Sequence, residues 1–296
     1  MTDMASCAAI DVVCIASWNA DLVSRVTRPM ARGETLMAHS FDIQPGGKGS
    51  NAAVAAARQG AKVGVIARIG DDDFGRMALS LWTRASIDTE YVEIAQNECS
   101  GVAQILVYDD GDNSIAVATG AGSGLGEANV DMACKAIRTA KVVMASNEVP
   151  QAATLAAFKI ARAAGATTIL NPAPAMDLPD ELIALCDVLT PNESEAQTLF
   201  GRGAAAMIVT MGSQGCALYQ KDKLTNPITG WAMNVVDTIG AGDTFTGALA
   251  AAIARGESLG QAAESANAAA ALSVTGRGAI AAMPTLAQSK NLKNQY

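Results

Sequence analysis

The stretch DTIGAGDTF, Asp237 to Phe245, sets an aspartate directly after two closely spaced glycines. Gly240 and Gly242 permit positive φ, so successive backbone N–H groups can turn into one concavity. A helix that begins near Asp243 adds its positive end to that field. Such a cradle suits the negative charge that spreads over a phosphoryl group in transfer. Asp243 would then face the acceptor hydroxyl and take its proton, and a helix N-terminus is expected to lower its pKa and keep it ionised at neutral pH. An aspartate opening a helix is equally a common cap. On local grounds the two roles stand level.

Three further clusters have the composition of ligand sites. In PGGKGSNAAVAAARQG, Pro45 to Gly60, three glycines precede an alanine-rich helical pattern. It lacks the spacing of a Walker loop, and no G-x-G-x-x-G follows a strand here. What remains is backbone that can approach a ligand closely, with Lys48 and Asn51 on the first helical turn. In TPNESEAQTLF, Asn192 and Glu195 stand at i and i+3 on one helix face. Their oxygens suit Mg²⁺ held mostly through water, but spacing alone favours a solvated helix start. In VTMGSQG a strand runs into Gly212, Ser213 and Gly215, either a tight turn or a contact to nucleotide phosphate.

The elements that must position these residues follow from periodicity. Apolar, β-branched runs at 10–17, 62–70, 141–146, 166–170, 186–190 and 206–211 alternate with helical patterns near 47–59, 74–85, 129–139, 151–164 and 193–200. Continuous apolar strands separated by helices indicate a mostly parallel sheet covered on both faces. Two more strands follow residue 211, then helices near 243–255 and 258–275, the second opened by a Ser258/Gln261 capping box and ended at Gly276. Residues 23–43 and 91–118 break this rhythm. The second reads as a meander of YVEIA, GVAQILVY and SIAVAT, which suits a lid over a site or a plain edge extension. The tail AQSKNLKNQY reads as a frayed end.

Composition narrows the partners. Of 296 residues half are hydrophobic and 17% charged, and the net charge is −8 with no basic cluster. Nucleic acid and anionic membranes are disfavoured, and a phosphate-bearing ligand must be held by local geometry. The six cysteines form no C-x-x-C pair and read as buried, reduced thiols in a cytoplasmic protein. One histidine, His39, leaves little scope for a His-rich metal site or a Ser-His-Asp triad. The first residues carry no basic n-region, and no apolar run reaches the ~18 residues that span a bilayer.

Taken in order, the clusters resemble the ribokinase-like, or phosphofructokinase-B type, carbohydrate kinases. GGKGSNAAVAAARQGAKVGVIARIGDDDFG is similar to that family's first signature and DTIGAGDTFTGALAA to its second. Asn192 to Glu195 matches its magnesium motif, and SWNAD, SGVAQILV and LNPAPAMDLPDELIALCDVLTPNESEA follow its ribokinase branch. The resemblance covers nearly the whole chain. It implies an α/β three-layer sandwich with a mostly parallel central sheet and a small β-sheet lid. Residues 1–22, 44–90 and 119–296 would form the core, and 23–43 with 91–118 the lid. The implied activity is ATP-dependent phosphorylation of a sugar, with the 5-hydroxyl of D-ribose as the expected acceptor. Another sugar or a nucleoside, or a non-catalytic regulator on this scaffold, are the alternatives.

By that resemblance Asn19, Asp21, Gly47, Lys48, Asn51 and Glu148 would hold the sugar, with Ala103 and Ile105 closing over it. Asp243 carries over as the base, and the N–H groups of Gly240, Ala241, Gly242 and Asp243 as the anion hole. ATP would meet Asn192, Thr210, Gly212, Ser213, Gly215 and Asn267, with Mg²⁺ at Asn192 and Glu195. An activating K⁺ would lie on Asp237, Ile239, Ser273, Gly276 and Gly278, although Ala282 stands where the family often has a serine. Ribokinases also carry roughly twenty more residues where this chain has only GRGAAA before the strand at 206. A homodimer joined through the lid is a further implication.

Overall fold

The computed structural model describes residues 9–295; Cys7 and the first eight positions, on which the reading of the N-terminus largely rests, lie outside the described residues. The chain opens with β1 (Val12–Ile15), β2 (Asn19–Arg25), β3 (Ser40–Gly46), α1 (Lys48–Arg58), β4 (Val63–Gly70), α2 (Asp73–Arg84), β5 (Asp88–Ala95), β6 (Gly101–Val107) and β7 (Asn113–Ala118). Then come α3 (Glu127–Met132), α4 (Cys134–Thr139), β8 (Val142–Ser146), α5 (Gln151–Ala164), β9 (Thr167–Asn171), α6 (Asp180–Leu185), β10 (Val188–Leu189) and α7 (Glu193–Ala196). The last part holds β11 (Ala206–Thr210), β12 (Gly215–Gln220), β13 (Lys223–Thr229), α8 (Ala241–Ala254), α9 (Leu259–Ser273) and α10 (Leu286–Lys293).

Nine strands form one sheet in the order β13-β12-β11-β10-β9-β8-β1-β4-β5, parallel from β11 to β5 and antiparallel at β12 and β13. β1 lies between β4 and β8, and all four of its residues are buried, which is why it reads as an unbroken apolar run. Alternate residues feed two cores. Val12 and Cys14 join the core built with α1, α2, α8 and α9, whereas Val13 and Ile15 join the one built with α3, α4, α5 and α6. This is the expected three-layer α/β architecture.

Alanine lets the first of these helix layers close up. Ala52, Ala53, Ala55 and Ala56 of α1 and Ala248, Leu249 and Ala251 of α8 are all buried in it. At Gly247 a side chain would strike the carbonyl of Ala52 and come within 2.8 Å of the Ala55 Cβ. The two helix backbones therefore approach at glycine distance. Both helices begin at the carboxyl ends of the strands, where α/β sheets hold their ligands.

A second sheet, β3-β2-β6-β7, stands over that edge. It pairs Asp21 with Ala103 and Val23 with Ile105, so these residues share one face. Its boundaries differ from expectation. β2 begins at Asn19 and β3 runs to Gly46, so the sheet includes residues on both sides of the expected 22/23 and 43/44 limits. YVEIA belongs to β5 rather than to a meander, because the α2 crossover returns the chain beside β4 and β5 pairs with it in parallel.

Three local expectations also change. The 193–200 helix stops after Ala196, and 129–139 is broken into α3 and α4 at Ala133. The tail is helical through Lys293 rather than frayed. Thr285 and Gln288 form a capping box and α10 follows. The Ser258/Gln261 box opens α9 as expected, but the helix ends at Ser273. Cys14, Cys186 and Cys216 are buried and free, whereas Cys99 is exposed and Cys134 partly so, which corrects the reading of all the thiols as buried.

Candidate active site

α1 starts at the mouth of β1. Gly47 is its N-cap at φ 88°, and a side chain there would meet the Ser17 carbonyl at 2.7 Å. The Lys48 backbone N–H donates to Glu148 Oε2 at 2.8 Å, and Ser17 Oγ donates to the same oxygen at 2.8 Å. Ser17 Oγ in turn accepts from the Gly49 N–H at 3.0 Å. Glu148, two residues past β8, is thus fixed against the positive end of α1. Ser17, which opens the SWNAD stretch, carried no expected role. Its signal was available, since a small hydroxyl at a strand's carboxyl end suits this bridging role.

Asn51 links this cluster to the second glycine motif. Its Nδ2 donates to Asp243 Oδ2 at 2.9 Å, and its Oδ1 is buried with no hydrogen-bond partner among the described residues. A buried amide oxygen left unpaired costs about 1–3 kcal/mol, so the site is built to receive a donor there. Asp21 stands on the facing sheet, close enough to Gly46 that any side chain at 46 would overlap its carboxylate.

Asp243 lies in the first turn of α8 and is 6% exposed. Burial pushes its carboxyl up to about 6; Lys48 and the Asn51 hydrogen bond pull against this, and Glu148 adds to it. The expected lowering by the helix N-terminus is therefore overturned, because desolvation outweighs it. Burial also pushes Asp21 up to about 7, helped by Glu148 and Asp243 and opposed by Lys48. Asp21, Glu148 and Asp243 thus crowd three carboxyls around one lysine.

The Asp243 carboxylate accepts no capping hydrogen bond from its own helix. Gly240, at φ 75°, is the N-cap and makes no side-chain bond. The Ala241 N–H donates to the Thr238 carbonyl at 3.3 Å. The N–H groups of Gly240, Gly242 and Asp243 point to no partner among the described residues. Unpaired N–H groups at a helix start are able to receive an anion.

Gly242 and Ala241 also close one end of a 280 Å³ cavity. Thr210, Gly212, Ser213, Gly215 and Asn267 line it, and Asn267 is held by donating from Nδ2 to the Thr229 carbonyl at 3.0 Å. Trp231, Met233, Val235 and Phe245 supply an apolar wall that no sequence signal announced. Asn192 stands outside this lining. It and Glu195 form a reciprocal capping box, with Glu195 N–H donating to Asn192 Oδ1 and Asn192 N–H to Glu195 Oε2, both at 2.9 Å. The solvated-helix-start reading thus describes their geometry, while Glu195 Oε1 is left outside the box.

Asp237 ties the loop before α8 to the chain after α9. Its Oδ1 accepts from the Ile239 N–H at 3.0 Å and its Oδ2 from the Gly278 N–H at 2.9 Å. Ser273 is buried beside this turn, and Gly276 packs against Ala282, with no room for a larger group between them. Among the described residues no group of three or more His, Cys, Asp and Glu side chains is arranged to hold a metal.

A parallel sheet ending in two glycine-led helix N-termini, a buried carboxylate between them, and a covering sheet define a small-molecule kinase fold. The chain belongs to the pfkB family carbohydrate kinases, whose family model matches residues 9–286. It is 37% identical over 289 residues to a ribokinase of Haemophilus influenzae, covering 92% of this chain and 94% of that one. It is 32% identical over 298 residues to a deoxyribokinase of Salmonella typhi, covering 94% and 97%. Among solved structures it resembles Arabidopsis thaliana ribokinase complexed with ribose and ATP, with a TM-score of 0.88, 32% identity and coverage of 96% and 99%.

Proposed function

We propose that the protein is an ATP-dependent ribokinase that transfers the γ-phosphoryl group of ATP to the 5-hydroxyl of D-ribose. The observation that carries this reading is the Asn51–Asp243 pair. One amide atom of Asn51 holds the Asp243 carboxylate, and the other is buried without a partner among the described residues. The sugar would lie between Asn19, Asp21, Gly47, Lys48, Asn51 and Glu148, covered by Ala103 and Ile105. Its hydroxyls would donate to the carboxylates and to the unpaired Asn51 Oδ1, and its oxygens would receive Lys48. Asp243 takes the proton of the attacking hydroxyl, and the free N–H groups of Gly240, Gly242 and Asp243 receive charge on the transferred group. Closing the small sheet excludes water and with it hydrolysis of ATP.

The nucleotide occupies the cavity lined by Thr210, Gly212, Ser213, Gly215 and Asn267, its phosphates toward Gly242. Asn192 and Glu195 are the residues that would hold Mg²⁺, largely through water, and the ion would offset the charge of the triphosphate. The Asp237 carboxylate, with carbonyls of Ile239, Ser273, Gly276 and Gly278, is the set that would take K⁺. Ribose is favoured over 2-deoxyribose by the higher identity to the ribokinase, 37%, than to the deoxyribokinase, 32%. Exposed Phe41, Ile43, Ile115 and Val117 on the small sheet support a homodimer joined there.

The decisive assay measures ADP release with ribose, 2-deoxyribose, fructose and adenosine, each with and without K⁺. Ribose should give the highest kcat/KM. Preference for deoxyribose, fructose or adenosine would overturn the acceptor assignment, and inactivity on all four would overturn the kinase.

A further inference from the structure

About 20 Å from the base, at the opposite end of the 14-residue α8, lies a second concavity. It is a cleft of about 440 Å³ between the α8–α9 turn and α10. That volume falls in the ~300–1,000 Å³ range of small-ligand pockets. Its walls carry Arg255, Lys290 and Lys293 against a single acidic residue, Glu257. In a chain of net charge −8 this is a local reversal of sign.

The lone acid is already engaged. Glu257 Oε1 accepts from Arg255 at 2.7 Å and Oε2 accepts from Ser265 Oγ at 2.7 Å. Lys293 Nζ donates to Ser265 Oγ at 3.0 Å and lies 3.9 Å from Glu264, which stands outside the lining. Lys290 has no partner among the described residues. The remaining walls offer hydroxyls and amides, including Gln261, Ser289 and Asn294. Cations interleaved with neutral hydrogen-bonding groups match an anion that carries hydroxyls.

We propose that this cleft binds a small polyhydroxylated phosphate ester, its phosphate on Lys290, Lys293 and Arg255 and its hydroxyls on the amide wall. The site is separate from the transfer centre and does not depend on the reaction assigned there. Its ligand would nonetheless touch the far ends of both catalytic helices. Arg255 is the last cap of α8 and donates to the carbonyl of Gln59, the last cap of α1, at 2.7 Å.

The test is calorimetric titration of the full chain with D-glucose 6-phosphate and with glycerol 3-phosphate. At least one should bind with one equivalent, tighter at low salt. The Lys290→Glu/Lys293→Ala variant should lose at least tenfold in affinity while its ADP affinity stays unchanged. Lys290→Ala alone should weaken binding several-fold, and that exposed, unpaired side chain can be removed without harm to folding. No heat from either ester, or the same isotherm in native and double-variant protein, would overturn the proposal.

Discussion

Asp243 combines two demands that pull in opposite directions. A base must be ionised to act, yet burial pushes this carboxyl up to about 6. We therefore expect kcat/KM to fall as pH drops through about 6, measured with ATP and ribose across pH 5 to 8. A profile flat to pH 5 would remove Asp243 from the proton transfer. Asp243→Asn keeps the shape and the polar contact to residue 51 but cannot take a proton. It should lower kcat by about 10²–10⁴-fold with an unchanged circular dichroism spectrum.

Asp21 makes the complementary prediction. Its folded-state carboxyl is raised to about 7, so folding takes up a proton and stability is lost as pH rises toward that value. Above pH 7 the ligand-free protein carries a crowded, repelling carboxylate. Asp21→Asn should therefore raise the melting temperature at pH 7.5 while weakening sugar binding. A lower melting temperature would contradict the electrostatic account.

At the scale of elements, the site is assembled by helix starts and strand ends. The two glycine motifs were readable because each needs glycine for a stated reason, positive φ at Gly47 and Gly240 and close approach at Gly46 and Gly49. The parallel strands were readable because burial on both faces leaves an unbroken apolar run. YVEIA misled because its apolar residues alternate as they would in a meander, and only the α2 crossover decides which strand it joins. α10 was missed because its polar residues hid a capping box. The pKa of Asp243 could not be read at all, since desolvation depends on what the fold packs around it. Trp231 and its neighbours in the nucleotide cavity come from an irregular loop without periodicity. Gly247 offers a direct test of the helix pairing. Gly247→Val should cost on the order of 1–3 kcal/mol in urea unfolding and lower kcat, although it touches no substrate.

At the scale of the molecule, the large sheet and its helices form a buried, closely packed body, and the small sheet stands apart with apolar side chains exposed. Met37, Phe41, Ile43, Ile115 and Val117 are each more than 40% exposed. Sedimentation equilibrium should find twice the chain mass, and Phe41→Glu/Ile115→Glu should shift it toward the single chain. A native protein that sediments as one chain would remove the dimer. The net charge of −8 works against ATP at long range, so any affinity for it must come from local donors.

The contact of Gly247 with the Ala52 carbonyl carries one more consequence. Because α1 and α8 meet backbone to backbone, Lys48 and Asn51 keep a fixed offset from Asp243 before any substrate arrives. Ordering on binding then falls on the small sheet. In hydrogen–deuterium exchange, amides of α1 and α8 should protect to the same degree with and without sugar, and those of β2, β3, β6 and β7 should slow when it binds. On that outcome the floor would be a pre-set template, and the rate of substrate engagement would be set by the small sheet.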